Sequence, residues 1–224
     1  MIDSPYPGYD ALAGFDHWDR RTQAVIRRRL DDIPPIAFFT RAEATLLEAV
    51  AARIIPQDDR PVAARVPIVP FIDEMLAEDD VDGYREPDMP WTRELWRLGL
   101  AGVDEASRAS HGSAFVDLDD VARDAVLARV QAGDPAGAAW RRAPAKKFFQ
   151  QLVRQIAAVY YAHPAAWSEI GWGGPASPRG YVRTGYGQRD PWEPAERRPA
   201  PATAIIRRRA DGQATPSGAG GTTH

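Results

Sequence analysis

Residues 144–181 read PAKKFFQQLVRQIAAVYYAHPAAWSEIGWGGPASPRGY, and this stretch decides the fold. Pro144 suits a first helical turn, where a missing N–H costs nothing. Phe149, Leu152, Val153, Ile156 and Tyr160 then recur on one face of a 3.6-residue period, so the spacing predicts an amphipathic helix. Pro164 blocks its continuation, because proline lacks a donor and clashes with the preceding turn. Beyond it, Trp167, Trp172 and Tyr181 are threaded through Gly171, Gly173, Gly174, Pro175, Pro178 and Gly180. Aromatic surface on such a loop must be buried on its own core or on a partner.

Upstream the same period recurs. Trp18 to Leu30 predicts a short charged helix touching the protein through Trp18, Val25, Ile26 and Leu30, after an extended arm over residues 1–15. Thr40 with Glu43 makes a capping box, followed by Leu47, Val50, Ala51 and Ile54 on one face. A third helix runs through Ile68, Val69, Phe71, Ile72, Met75 and Leu76. A longer one begins at Trp91, with Leu95, Leu98 and Gly102 in register and Trp96, Leu100 and Val103 widening the stripe. Asp117 is the expected N-cap of a further helix ending at Gly133. No alternating strand pattern or internal repeat appears. The fold class is therefore all-α, a single domain of about five to seven helices with an aromatic, Gly/Pro-rich C-terminal loop. Residues 1–35 form an arm and short helix, 36–186 the helical domain, and 187–224 a disordered tail. In that tail only Ile205 and Ile206 come from Leu, Ile, Val and Phe, too little apolar surface to offset ordering entropy.

Composition narrows the chemistry. The net charge of −3 argues against a nucleic-acid binder relying on a broad basic surface. There are no cysteines, which removes disulfides, thiolate nucleophiles and iron–sulfur ligation. Arg20 and Arg21 are not followed by an apolar segment, and no run approaches the roughly 18 apolar residues of a membrane span. The expectation is a cytoplasmic chain without membrane insertion, or a periplasmic or cell-envelope one exported on a partner's signal.

Motifs for catalysis are missing. Glu78, Asp80, Asp82 and Gly83 match positions one, three, five and six of a calcium loop, but Met89 stands where a bidentate Glu is required. An autonomous metal-dependent helical enzyme using the acidic turn between Glu78 and Asp82 is the alternative reading. His17, His111 and His163 are scattered. His163 falls at a helix end, where His⁺ could meet free carbonyls. Gly171, Gly173 and Gly174 form no dinucleotide fingerprint. The residues give no catalytic, cofactor-binding or metal site.

Three passages, FFTRAEATLLEAVAARIIPQDDRPVAARVPIVPFIDEML, GSAFVDLDDVARDAVLARV and KKFFQQLVRQIAAVYYAHPAAWSEIGWGGPASPRGY, together resemble subunit 3 of the gluconate 2-dehydrogenase family. The likeness covers about residues 38–186. It implies a cofactor-free small subunit paired with an FAD-containing flavoprotein of the glucose–methanol–choline (GMC) type. That partner would oxidise a sugar, sugar acid or polyol such as gluconate or glucose, with a cytochrome c subunit as a further candidate partner. The small subunit would support folding, stability or export. Family members commonly carry a twin-Arg signal, and some carry cysteines that bridge subunits; neither is found here. The residues expected to meet the partner are Phe148, Tyr160, Tyr161, His163, Trp167, Trp172, Tyr181 and Arg183.

Overall fold

The best-signed helix starts where its residues dictate. Thr40 accepts the N–H of Glu43, and the Glu43 carboxylate returns to the Thr40 N–H at 2.8 Å, closing the capping box of α2 (Arg41–Ile54). In a computed structural model describing residues 5–80, 89–176, 188 and 193–197, it is one of six α-helices. The others are α1 (Arg20–Asp31), α3 (Ile68–Ala77), α4 (Thr92–His111), α5 (Asp120–Ala132) and α6 (Ala145–Ala162), joined through short 3₁₀ turns. Among the described residues there is no strand, and no helix is long and apolar enough to cross a membrane. The expected tail lies outside the described residues, apart from 188 and 193–197.

The main core joins α2 to α6. Leu47, Val50, Ile72, Leu76, Trp96, Leu100, Val103, Phe115, Val130, Phe148, Leu152 and Ile156 are all buried within it. Each of these large side chains contributes about 2 kcal/mol through its burial. The α4–α6 crossing is close because α4 turns glycine toward two rings. A Cβ on Gly99 would lie 2.1 Å from the Phe148 ring, and one on Gly102 2.5 Å from Trp140. Phe148 is itself wedged between Trp96 and Trp140, at centroid distances of 6.1 and 5.9 Å.

One buried charge organises the N-terminal side of this core. Asp73 on α3 is fully buried, and its carboxylate accepts the backbone N–H groups of Ala37 (2.6 Å), Phe38 (3.0 Å) and Phe39 (2.7 Å). Three donors on one carboxylate replace the water it gave up. The strap before α2 is thereby fixed, and Phe38 and Phe39 enter the core.

Several expectations need correction. Residues 1–15 are not simply extended, since Ala11–His17 form a 3₁₀ helix capped by Asp10. Trp18 is buried but lies before α1, whose N-cap is Asp19. Val25 points outward, and Ile26 makes the contact. The N-cap of α5 is Asp119, because residues 115–117 are taken up by a 3₁₀ turn. Trp91 is 67% exposed, so the buried stripe of α4 centres on Trp96, Gly99, Leu100 and Val103.

Two substitutions test this architecture by urea denaturation. Asp73→Ala strands the buried N–H groups of Phe38 and Phe39 and the part-buried one of Ala37, and is expected to cost about 3 kcal/mol or more, with Asp73→Asn costing less. Gly99→Ala gains about 1 kcal/mol of helix propensity. Overpacking at a ring that cannot retreat outweighs this, giving a net loss of about 1–2 kcal/mol.

Candidate partner-docking surface

The C-terminal end of α6 gathers most of the residues expected to meet a partner. His163 ends the helix and caps the following Pro164–Ala166 turn, its Nδ1 accepting the Ala165 N–H at 3.3 Å. Trp167 then turns inward, donating Nε1–H to the Tyr161 carbonyl at 3.2 Å. Trp172 packs edge-on against it at 4.5 Å. The loop closes through Gly171 (φ 65°) and Gly174 (φ 77°), both in the left-handed region that disfavours side chains.

What covers these aromatics is the chain's own beginning. Ala11, Trp18, Ile26 and Trp167 form a second small core, with Tyr9, Leu12, Phe15, Leu30 and Trp172 packed around it. Trp18 meets Trp167 edge-on at 6.2 Å. The two loop glycines are also contact surfaces, because a Cβ on Gly171 would lie 2.6 Å from the Tyr6 ring and one on Gly174 2.5 Å from Trp18. Two bonds between side chain and backbone complete the clasp. The Ala11 N–H donates to Ser168 Oγ at 3.1 Å, and the Arg29 guanidinium donates to the Ala162 carbonyl at 2.9 Å.

His163 links the two ends more tightly than its position at a helix terminus suggests. It is buried, with Nε2 2.8 Å from the Arg29 carbonyl and the Phe71 ring 5.9 Å away. A carbonyl at Nε2 and an N–H at Nδ1 fix the neutral tautomer with the proton on Nε2. Burial holds the ring below the usual histidine range. It is a neutral bridge between α6 and α1, not the His⁺ expected at free carbonyls.

Beside this clasp lies a polar strut. Glu169 pairs with Arg60 of the α2–α3 loop and accepts the Tyr160 phenol at 2.7 Å. Burial, then the bond to Glu169, pushes the Tyr160 hydroxyl above its ordinary range, while Glu169 first of all raises Arg60. Tyr160 is therefore a hydrogen-bond donor at neutral pH, and the strut fastens the loop to α6. An exposed apolar side chain closely follows each of its residues in sequence. Tyr161 beside Tyr160 is 47% exposed, Ile170 beside Glu169 41%, and Val62 two residues from Arg60 77%.

The structure thus divides the eight expected residues. Tyr160, His163 and Trp167 are buried at this end, Tyr161 is exposed and Trp172 half-buried. Phe148 is interior and sits twelve positions before Tyr160, about 18 Å along the helix axis. Tyr181 and Arg183 lie outside the described residues. Sequence reasoning missed Arg60, Glu169 and the arm aromatics Tyr6 and Trp18 as neighbours of this end. The available signal was the crowding of Tyr6, Tyr9, Phe15 and Trp18 into the first eighteen residues. In the acidic turn, Asp82 and Gly83 lie outside the described residues. Among those described, no group of three His, Asp or Glu side chains could hold a metal ion.

Residues 41–174, more than half of the chain, match the family model described as Gluconate 2-dehydrogenase subunit 3. No curated protein and no solved structure matches the chain. The match starts at the first residue of α2 and ends at the glycine pressed against Trp18, so the arm and α1 lie wholly outside it.

The neutral bridge makes attachment of α1 sensitive to acid. Unfolded histidine titrates near 6.5, and folded His163 titrates lower. Around and below that pH the detached state binds the extra proton, so attachment is complete above it and weakens as pH falls. Hydrogen exchange, corrected for intrinsic pH effects, should show α1 losing protection relative to α4 between pH 7.5 and 5.5. Equal protection at both would contradict the assignment.

Proposed function

The chain belongs to the gluconate 2-dehydrogenase subunit 3 family, and from that premise we propose that it is the non-catalytic small subunit of an FAD-dependent dehydrogenase of the GMC type. Its partner oxidises a sugar, sugar acid or polyol such as gluconate or glucose, and carries the flavin. The family match is the observation that supports this reading most directly. The small subunit's role is to bind and stabilise the flavoprotein, by mass action on its folded state, and to accompany it if the complex is exported. A cytochrome c subunit is the further partner to which electrons pass.

The surface around Tyr161, Ile170 and Val62 suits docking. Each of these exposed apolar residues closely follows, in sequence, a residue of the polar strut that is already fixed, so little ordering is required on association. Trp172 borders it. Trp167 and Tyr160 shape this surface from within, and burying Trp167 against the partner would first require the arm to leave.

Affinity purification of the tagged chain from its native host, followed by an absorbance spectrum, tests the proposal. A stoichiometric partner of flavoprotein size is expected, with flavin bands bleached by a sugar or sugar acid. A lone, colourless chain would overturn it. Ile170→Asp, at an exposed position, should leave the melting temperature within a few degrees of the parent and weaken partner recovery at least about tenfold. Retention of full recovery by this variant and by Tyr161→Asp would move the docking site elsewhere.

A further inference from the structure

A second surface lies at the other end of α6. Phe38, Arg93, Glu94, Arg97, Leu98 and Arg142 line an open cleft of about 480 Å³. Arg142 stands just before α6, whose 18 residues span about 27 Å, so the cleft and the aromatic end are far apart.

Among the described residues the charges in this cleft do not cancel. Arg142 pairs with Glu94, and Arg97 pairs with Glu43 at 2.9 Å while donating to the Phe38 carbonyl at 2.8 Å. Arg93 has no carboxylate partner among the described residues. Its guanidinium lies 5.0 Å from the centre of the Phe38 ring, and that of Arg97 lies 4.4 Å from it. Stacking on the ring holds the planar groups in place and leaves N–H donors for a further acceptor. One net positive charge on a protein of net charge −3 is thus concentrated in a preformed cleft with an apolar floor. Trp91, 67% exposed, is three residues before Glu94 and seven before Leu98, which places it beside the same side of α4. Arginine and tryptophan together are the residues that most often dominate protein interfaces.

We propose that this cleft binds an extended acidic segment of a partner protein, with an Asp or Glu carboxylate on Arg93 and an adjoining apolar side chain on Phe38, Leu98 and Trp91. A guanidinium fork matches a carboxylate in two parallel hydrogen bonds. Glu43 and Glu94 repel a polyphosphate strand, and the apolar floor gives a small hydrated anion nothing to hold. The site does not depend on which subunit supplies the segment. It gives the chain two separate contact surfaces.

The test places photoreactive benzoylphenylalanine at Trp91 in the full chain, expressed in its native host, with and without Arg93→Glu. Cross-linked peptides are identified by mass spectrometry. The expected product joins position 91 to an Asp- or Glu-bearing segment of another protein. Its yield should fall at least tenfold with Arg93→Glu and by a smaller factor with Arg93→Gln, which keeps the fold testable if the charge reversal disturbs it. Cross-links to a neutral or basic segment, to nucleic acid or to a second copy of the chain would overturn the inference. So would an absence of cross-links, or a yield indifferent to both substitutions. Flavin absorbance of the same purified material separates the two proposals. Flavin retained without an acidic cross-link rejects only this cleft, and an acidic cross-link without flavin rejects only the flavoprotein partner.

Discussion

The carboxylate of Asp73 holds the strap that leads into the main domain. Alone in the interior it would be strongly unfavourable, and the three backbone N–H groups of residues 37–39 offset that cost. The consequence extends well beyond one hydrogen-bonded loop. With the strap fixed, Phe39 reaches Trp96, and Thr40 is delivered to the position where it caps α2. The Phe38 ring is presented to two arginines of α4. A single side chain on α3 therefore sets the start of α2 and one wall of the α4 cleft.

Two hydrophobic centres of unequal size follow from this arrangement. The larger is built by α2 to α6 inside the family-matched segment. The smaller straddles its boundary, with Trp167 inside and Ala11, Trp18 and Ile26 outside. The aromatic loop thus uses residues beyond the family segment to cover its inward side. Ile170 of the loop and Tyr161 at the end of α6 stay accessible. Both described tryptophans of the loop are packed on the chain's own arm.

What the sequence made legible was local. Thr40 and Glu43 are three residues apart, and the period of α6 is written in Leu152, Ile156 and Tyr160, so both could be read without knowing the fold. The all-helical class followed. Asp119 rather than Asp117 caps α5 because a 3₁₀ turn consumes the intervening residues, and carboxylates two apart offer the same signal. Trp91 has the spacing of a core residue, but its burial depends on whether another element arrives there. The Asp73 strap contact spans 34 to 36 residues, Arg60 to Glu169 spans 109, and Arg29 to Ala162 spans 133. Such pairings are set by tertiary packing, and no periodicity records them.

The clasp between Trp18 and Trp167 also has a temporal meaning during synthesis. The arm leaves the ribosome before its partner loop, which emerges some 150 residues later. At translation rates of about 5–20 residues per second, that interval is on the order of 10–30 s. Throughout it, Tyr6 and Trp18 lack the loop surface they meet at Gly171, Gly174 and Trp167, while α2 to α5 can already assemble. The smaller core therefore forms only after α2 to α6 have been made, and it registers that the helices have been completed.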